Sequence, residues 1–531
     1  MFKDTQVYIF IKIIFLHTLT LICCSLCLYS YAQSLPSQPS NEERIQLQHA
    51  DKLIGYSLKG EDVQKLIGNV VFRQNNNVMY CDSAIQYSDR NYVEAYGNVR
   101  FTQGDTITLT GKKLTYDGAT QCAMVSQNVV LQDRKMTLKT NALNYDSRNK
   151  LASYQTGGEI TDADNQLTSK KGYYNTQSKI FWFKKDVVLV NKKENFTLTS
   201  DTLEYNSLTK IATFRGPTQV VKKNDVLHTT HGEYDTKNAR HRHTGRAKII
   251  SGHYELEADN LYYDEITNTG IAKSNVKLTS TKDSVVIEGD KANYWGKMGL
   301  VKITGRPVMK SKMQKDTLYL VADTLVSIDK KDETDTTKSI RRLLAYQHVK
   351  IFKENLQAKC DSLAYEVNDS TLFLFSNPVM WSGKNQIFAD SINIQIANKK
   401  IYCMNANVNS FIISEDTAHN YNQVKGRKMT AYFKDDKIKT VYVDGNGETI
   451  YHALDEKKRN RLIGLNRTEC SNMTISFDSG SVRKILFLKR PSAKFIPPHE
   501  INADNKQLKG FMLHYADRPK KNDVIVERSA Q

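Results

Sequence analysis

The sequence predicts an all-β protein, an elongated antiparallel array of bent strands that form two facing sheets. Three observations predict it. A segment near 30 residues long repeats along most of the chain. Apolar and polar residues alternate inside each repeat, the period of a half-buried strand. Turn-forming residues appear twice per repeat. Proline is scarce (9 of 531 residues) whereas Tyr (28) and Phe (19) are plentiful, a balance that favours strands. With 40% hydrophobic and 25% charged residues the chain is too apolar to be disordered and too long for one simple core.

The repeat starts are readable one by one. Gly68-Asn69-Val70-Val71-Phe72 recurs as Gly97-Asn98-Val99-Arg100-Phe101 and as Gln127-Asn128-Val129-Val130-Leu131. Looser copies begin near Gly158, Lys185, Gly216, Gly245, Ser274, Gly305, Gln347, Ser376 and Ala406. A second motif follows each start, as in Ile107/Leu109/Gly111 then Leu114/Tyr116, and Met136/Leu138/Thr140 then Leu143/Tyr145. The buried parity changes between Gly111 and Leu114. A straight strand would then expose half its apolar residues, so the strand bends or bulges there. Pro217, Pro307 and Pro378, the only prolines between residues 40 and 490, fall beside the same repeat position, where a ladder hydrogen bond is already broken.

Turn signals such as Gln74-Asn75-Asn76-Asn77, Gly104-Asp105, Ser88-Asp89-Arg90-Asn91 and Asp117-Gly118 are short and hairpin-like. They favour an antiparallel meander, two strands per unit, over a parallel β-helix of similar period. About 25 strands at roughly 4.8 Å each predict a stack on the order of 120 Å long.

Organisation follows from where the pattern starts and loosens. Residues 1–32 read as a signal peptide: Lys3 and Lys12 precede an apolar stretch, and Ser30-Tyr31-Ala32 offers small residues at a cleavage site. Residues 33–55 read as a linker. The repeat then divides into a first segment (56–215), a continuation (216–328), a charged loop (329–339) and a last segment (340–445). Residues 446–531, where the period fades, are expected to be a docking or tail region. Cys81, Cys122, Cys360, Cys403 and Cys470 are widely spaced and read as small buried strand residues.

The repeated Gly-Asn-Val-x-Phe units and the x-Leu-x-Tyr strands, behind a Sec-type signal, resemble the OstA/LptA family of lipopolysaccharide-transport proteins over roughly residues 56–445. The resemblance implies a V-shaped β-jellyroll whose apolar interior holds lipid A acyl chains and passes lipopolysaccharide toward the outer membrane. It also implies a periplasmic, outer-membrane-associated location. The partners it implies are similar jellyrolls of a transport bridge and the outer-membrane translocon, joined by edge-strand addition. The chain is several times longer than one such jellyroll and has no room for the translocon's large barrel, which suits a bridge. The competing reading is a structural or adhesive β-repeat protein of the envelope.

On the repeat parity, Val70, Phe72, Val99, Phe101, Leu109, Leu114, Tyr116, Val129, Leu131, Leu138, Val187, Leu189 and Leu198 point inward as candidate lipid contacts. Acyl chains would gain about 0.8 kcal/mol per buried CH₂. The formal charge of +18 suits an anionic lipid. Lys112, Lys113, Lys170 and Lys171 are the candidate phosphate contacts at the rim. The plainer reading of the same lysines is that they blunt edge pairing.

Other chemistries are not expected. His241 and His243 share a strand face as two metal ligands would, but Arg240, Arg242 and Arg246 beside them disfavour a cation, and a solvated turn is the plainer reading. Acidic residues such as Asp82, Asp201, Asp259, Asp361 and Asp390 are spread one per unit, which suits a role at the bend, not catalysis. No nucleophile elbow, HExxH or P-loop motif is present, so neither an enzyme nor a cofactor is expected. No compact basic-aromatic module points to nucleic acid.

Overall fold

A computed structural model describes residues 44–58, 60–134, 136–312, 316–331, 339–398, 400–434, 437–455, 461–478 and 481–525. The expected signal peptide, part of the linker and most of the charged loop lie outside the described residues. The chain divides into two compact units. The first holds the described residues within Met1–Arg134 and Lys139–Leu151; the second holds those within Lys135–Leu138 and Ala152–Gln531.

Each unit is an antiparallel succession of strands. In the first, Glu61–Gln74, Asn77–Tyr87, Tyr92–Gln103, Ile107–Asp117 and Cys122–Asp133 pair each with the next. In the second, Ile180–Asn191 through Val285–Trp295 do the same.

The register explains the bend. Ile67 pairs with Ser83 and Val70 with Cys81, so Gly68 and Asn69 stand opposite Asp82 alone. That is a β-bulge, which sharpens twist and redirects the strand. Both bulge residues are left-handed, with φ of 80° at Gly68 and 47° at Asn69. Leu109 and Leu114, on either side of the parity change, are both fully buried.

The left-handed residues recur on alternate strands: Gly97, Gln127–Asn128, Lys185–Asp186, Gly216, Gly245–Arg246, Ser274–Asn275, Gly305–Arg306, Gln347–His348 and Ser376–Asn377. These are the repeat starts read from the sequence. Two starts shift: the bend expected near Gly158 has its left-handed glycine at Gly157, and the one near Ala406 lies at Val408–Asn409. At the second, Ala406-Asn407-Val408 imitates the Gly-Asn-Val start, but Asn409 is the residue that reaches the facing carboxylate. The series also continues at Gly445–Asn446 and Lys489–Arg490, with strands Lys437–Asp455, Arg461–Asp478 and Ser481–Leu488 around them.

In places the bend breaks a strand outright. Leu300–Thr304 and Val308–Lys312 flank Pro307, and Thr371–Phe375 and Val379–Ser382 flank Pro378. Pro217 sits where the register between neighbouring strands slips, between Arg215 and Thr218.

Three of the recurring aspartates, Asp82, Asp259 and Asp390, hold bends, and Asp51 does the same at Asn69. The Asp82 carboxylate accepts from both the backbone and side-chain nitrogens of Asn98, each at 3.0 Å. Asn69 donates to Asp51 (2.9 Å), Asn275 to Asp259 (2.6 Å) and Asn409 to Asp390 (3.2 Å). A left-handed Asn satisfied by a facing carboxylate fixes a conformation that most side chains resist.

Candidate functional site

A strand bent at its middle sends its two halves into facing sheets, and the hairpin turns then form two rows along the opposite rim. What happens between those rows decides whether the interior is open.

In the first unit the rows are latched by the amides of buried Gln74 and Asn77 and half-buried Gln103. Gln74 donates to the Gly118 carbonyl (2.8 Å) and accepts from the Tyr116 hydroxyl (2.6 Å). Asn77 donates to Tyr116 (3.1 Å) and Ser147 (2.9 Å). Gln103 donates to the Ser147 carbonyl (3.0 Å) and accepts from Tyr145 (2.6 Å). Beneath this latch, Phe101 packs against Tyr116 and Tyr145 at 5.7 and 6.0 Å between ring centroids. The expected interior residues do point inward. Val70, Phe72, Val99, Phe101, Leu109, Leu114, Tyr116, Val129, Leu131, Leu138, Val187 and Leu198 are all 1% exposed or less, and Leu189 is half-buried.

The early part of the second unit closes with charge. Lys222 reaches Glu265 (2.9 Å) and Glu194 (3.5 Å), and His241 also meets Glu265. The hydrogen bond from His241, then the one from Lys222, outweighs the burial of the Glu265 carboxyl and holds its pKa at about 2. His241 stacks on Tyr234 at 4.2 Å, and His243 lies inward beside Phe214. The solvated turn expected here is therefore corrected. The pair sits on the Arg240–Ser251 strand, whose alternation puts Arg240 and Arg242 outside and both imidazoles inside. His243 is 1% exposed, neither ring nitrogen has a partner, and burial pushes its pKa down to about 3. Among the described residues no group of three or more metal-ligating side chains gathers.

Further on, the interior beneath the rows is not filled. A cavity of about 420 Å³ opens among Leu278, Ile287, Leu320, Leu343, Ile351, Met380 and Ile394. Its size falls in the roughly 300–1,000 Å³ range of small-molecule sites. Lys282, Lys312, Arg341, Arg342, Lys353 and Lys400 line it together with only two carboxylates, Asp283 and Asp329. Arg341 bridges the rows by pairing with Asp283 and, at 3.7 Å, with Asp329, while Tyr254 donates to Asp329 (2.8 Å). Burial works upward on Asp283, but hydrogen bonds from Ser280 and Arg341 prevail and keep its pKa low. An apolar pocket with a cationic mouth accepts an amphiphile: dispersion and desolvation act on the tail, charge on the head.

The sequence reading missed this cavity, because its apolar residues follow the same alternation as every sealed repeat. The signal was the basic residues beside turns between 282 and 400. The lysines it chose lie at bends instead. Lys170 pairs with Asp186, Lys112 approaches Asn98 (3.5 Å), Lys113 lies over the Tyr96 ring, and Lys171 is paired in register with Lys184. The five cysteines are free; Cys81, Cys403 and Cys470 are buried and Cys360 half-buried, but Cys122 is exposed, against expectation, where its strand begins beyond a turn.

Comparison with known proteins finds two family models and a similar solved structure. A family model for OstA-like protein matches residues 42–201 and 192–259. A second, for the LptA/(LptD N-terminal domain) LPS transport protein, matches residues 255–400. No curated protein matches. Among solved structures, LptH from Pseudomonas aeruginosa, described as the LptA homologous periplasmic component of a lipopolysaccharide transport device, is similar at 15% identity. That similarity covers 21% of this chain and 75% of LptH, with a TM-score of 0.18. On its repeat, its bends and the two family models that together span residues 42–400, the chain belongs to the OstA/LptA-like family of lipopolysaccharide-transport proteins.

Proposed function

We propose that this protein is a non-enzymatic, periplasmic lipopolysaccharide-binding bridge that carries its lipid toward the outer membrane, and that the cavity between Tyr254 and Ile401 is where the acyl chains sit. The observation that supports this most directly is the pairing of an apolar interior with six cationic residues at its lining. The interior of the first unit, latched by amides, is the candidate for transient passage: Val70, Phe72, Val99 and Phe101 meet acyl chains only when the latch opens. The bend lysines Lys112, Lys113, Lys170 and Lys171 take the weaker role of contacting phosphate from outside. Similar jellyrolls and the outer-membrane translocon are the proposed partners, added at edge strands.

The test is site-specific photo-crosslinking in cells that make lipopolysaccharide. A crosslinker at Leu320 or Leu343 should capture the lipid strongly, at Phe72 or Phe101 weakly, and at outward-facing Arg100 not at all. Equal capture at Leu320 and Arg100 would leave only the structural or adhesive reading. Small-angle scattering of the mature protein tests the expected extended shape.

A further inference from the structure

Four cavity residues tie the two rows of turns to each other. Asp283 sits in the turn between strands Thr269–Ser280 and Val285–Trp295, and Tyr254 opens strand Tyr254–Asp264. Both belong to one row, where the Thr281 amide donates to the His253 carbonyl of the adjoining turn (3.0 Å). Asp329 and Arg341 belong to the other row and face each other in register on paired strands. There the Asp329 amide donates to the Gly299 carbonyl, beside the Gly296–Met298 turn (2.8 Å). Two ties therefore cross the gap: the ion pair of Arg341 with Asp283, and the Tyr254 hydroxyl donating to Asp329 (2.8 Å). The Arg341–Asp329 contact, at 3.7 Å, couples them within one row.

All four residues line the cavity, together with Leu278, Val285 and Ile287 from the strands on either side of the Asp283 turn. Among the described residues of that lining, the carboxylates are the two that hold Arg341. The Arg341 side chain is 21% exposed, and those of Asp283 and Asp329 are 32% and 40% exposed, so an anion from solution reaches the guanidinium. An ion pair this open to water is a modest tie. The planar fork of Arg341 fits phosphate as well as it fits carboxylate. Neither aspartate is stranded when Arg341 leaves, because Asp283 keeps the Ser280 hydroxyl (2.9 Å) and Asp329 keeps Tyr254.

A lipid with its tails in the cavity and its headgroup in water has its connecting atoms in the gap between the rows. It moves along the interior only where the ties across that gap open. We propose that Arg341 is a gate operated by the headgroup: a phosphate-bearing amphiphile takes the guanidinium from Asp283, and the ionic tie opens where the connecting atoms pass. A neutral amphiphile of equal length offers nothing in exchange and leaves the tie shut. Once the lipid has passed, Asp283 recovers Arg341 and the rows close behind it. This inference rests on the cavity being a lipid site and makes Arg341 its specificity-determining residue.

The experiment uses the full mature chain with Cys122→Ser, Ser284→Cys and Lys297→Cys. Spin labels on these two exposed turn positions mark the two ends of the bent strand Val285–Trp295, one in each row. The probes are a long-chain alkyl phosphate and the alcohol of equal length. Each carries a diazirine, so that labelling at Leu320 and Leu343 reports occupancy of the cavity. The phosphate should widen the distance between the spin labels and the alcohol should not. The phosphate should also bind about tenfold tighter than the alcohol. Arg341→Gln should bring the two affinities close to parity and leave a spin-label distance that neither probe changes. Asp283→Asn, which weakens the tie but spares Arg341, should raise phosphate affinity several-fold. A distance unchanged by phosphate that does label the cavity overturns the gate and leaves the lipid reading intact. Phosphate-dependent widening that persists in Arg341→Gln also overturns the gate. A cavity that neither probe labels in any of these proteins overturns the lipid reading and the gate together.

Discussion

At Val408 the bend is built on the wrong residue. Its φ is 60°, a left-handed conformation, although its side chain is β-branched and 52% exposed. The corresponding positions carry Gly at 68, 97, 216, 245, 305 and 445. Left-handed backbone costs an ordinary residue about 1–2 kcal/mol, and the exposed side chain recovers little of it. Val408→Gly should therefore stabilise the protein by about 1 kcal/mol in chemical denaturation, net of the greater freedom that glycine gives the unfolded chain. A destabilising result would mean that the valine makes contacts worth more than the strain. This residue also marks the limit of what the sequence reveals. Gly-Asn and Asx spacing locates most bends, because only a few residue types tolerate left-handed backbone. Where the preference is overridden, the apparent start slips by two residues.

At the scale of one strand, Arg240–Ser251 breaks the apolar pattern by turning His241 and His243 inward. His243 is neutral in the fold, with its pKa near 3 against 6.5 for an ordinary imidazole. The unfolded chain therefore binds the extra proton first as pH falls. Stability from this group is fully present above pH 6.5 and is lost on acidification toward pH 3. Glu265, held near 2, adds its own loss only below about pH 4.5. His452, also depressed by burial, acts in the same direction as His243. His243→Phe should flatten the stability profile between pH 6.5 and 4.5. It should also raise stability at neutral pH by roughly 1–3 kcal/mol, since two unpartnered buried nitrogens disappear. An unaltered pH profile would assign that slope to other groups. Alternation alone could have placed both rings inside. The neighbouring arginines pulled the reading outward, although they occupy the opposite face.

At the scale of the whole molecule, the differences between repeats lie at the rim. The strands, their pairing and their bends were legible because period, parity and turn chemistry all point the same way. The cavity was not, because sealed and open repeats share one core pattern and differ only in the distant side chains that join the two rows of turns. If the cationic mouth selects anionic amphiphiles, Lys312→Glu/Lys353→Glu should weaken binding of a phosphorylated lipid probe about tenfold at low salt. It should barely change a neutral probe of equal chain length. The gap between the two probes should narrow as ionic strength rises toward 1 M, where screening acts within about 3 Å. Equal losses for both probes would point to damaged packing, not lost charge.

The placement of left-handed bends on alternate strands has a further consequence. A hairpin pair is the smallest interchangeable part: at bends such as Asn69, Asn98, Asn275 and Asn409 one strand brings the kink and its neighbour brings the carboxylate that secures it. Gene duplication or deletion can add or drop such pairs and leave every junction properly matched. Excising a lone strand would set two kinked edges side by side, each short of its anchor, so growth of this chain is quantised in steps of two.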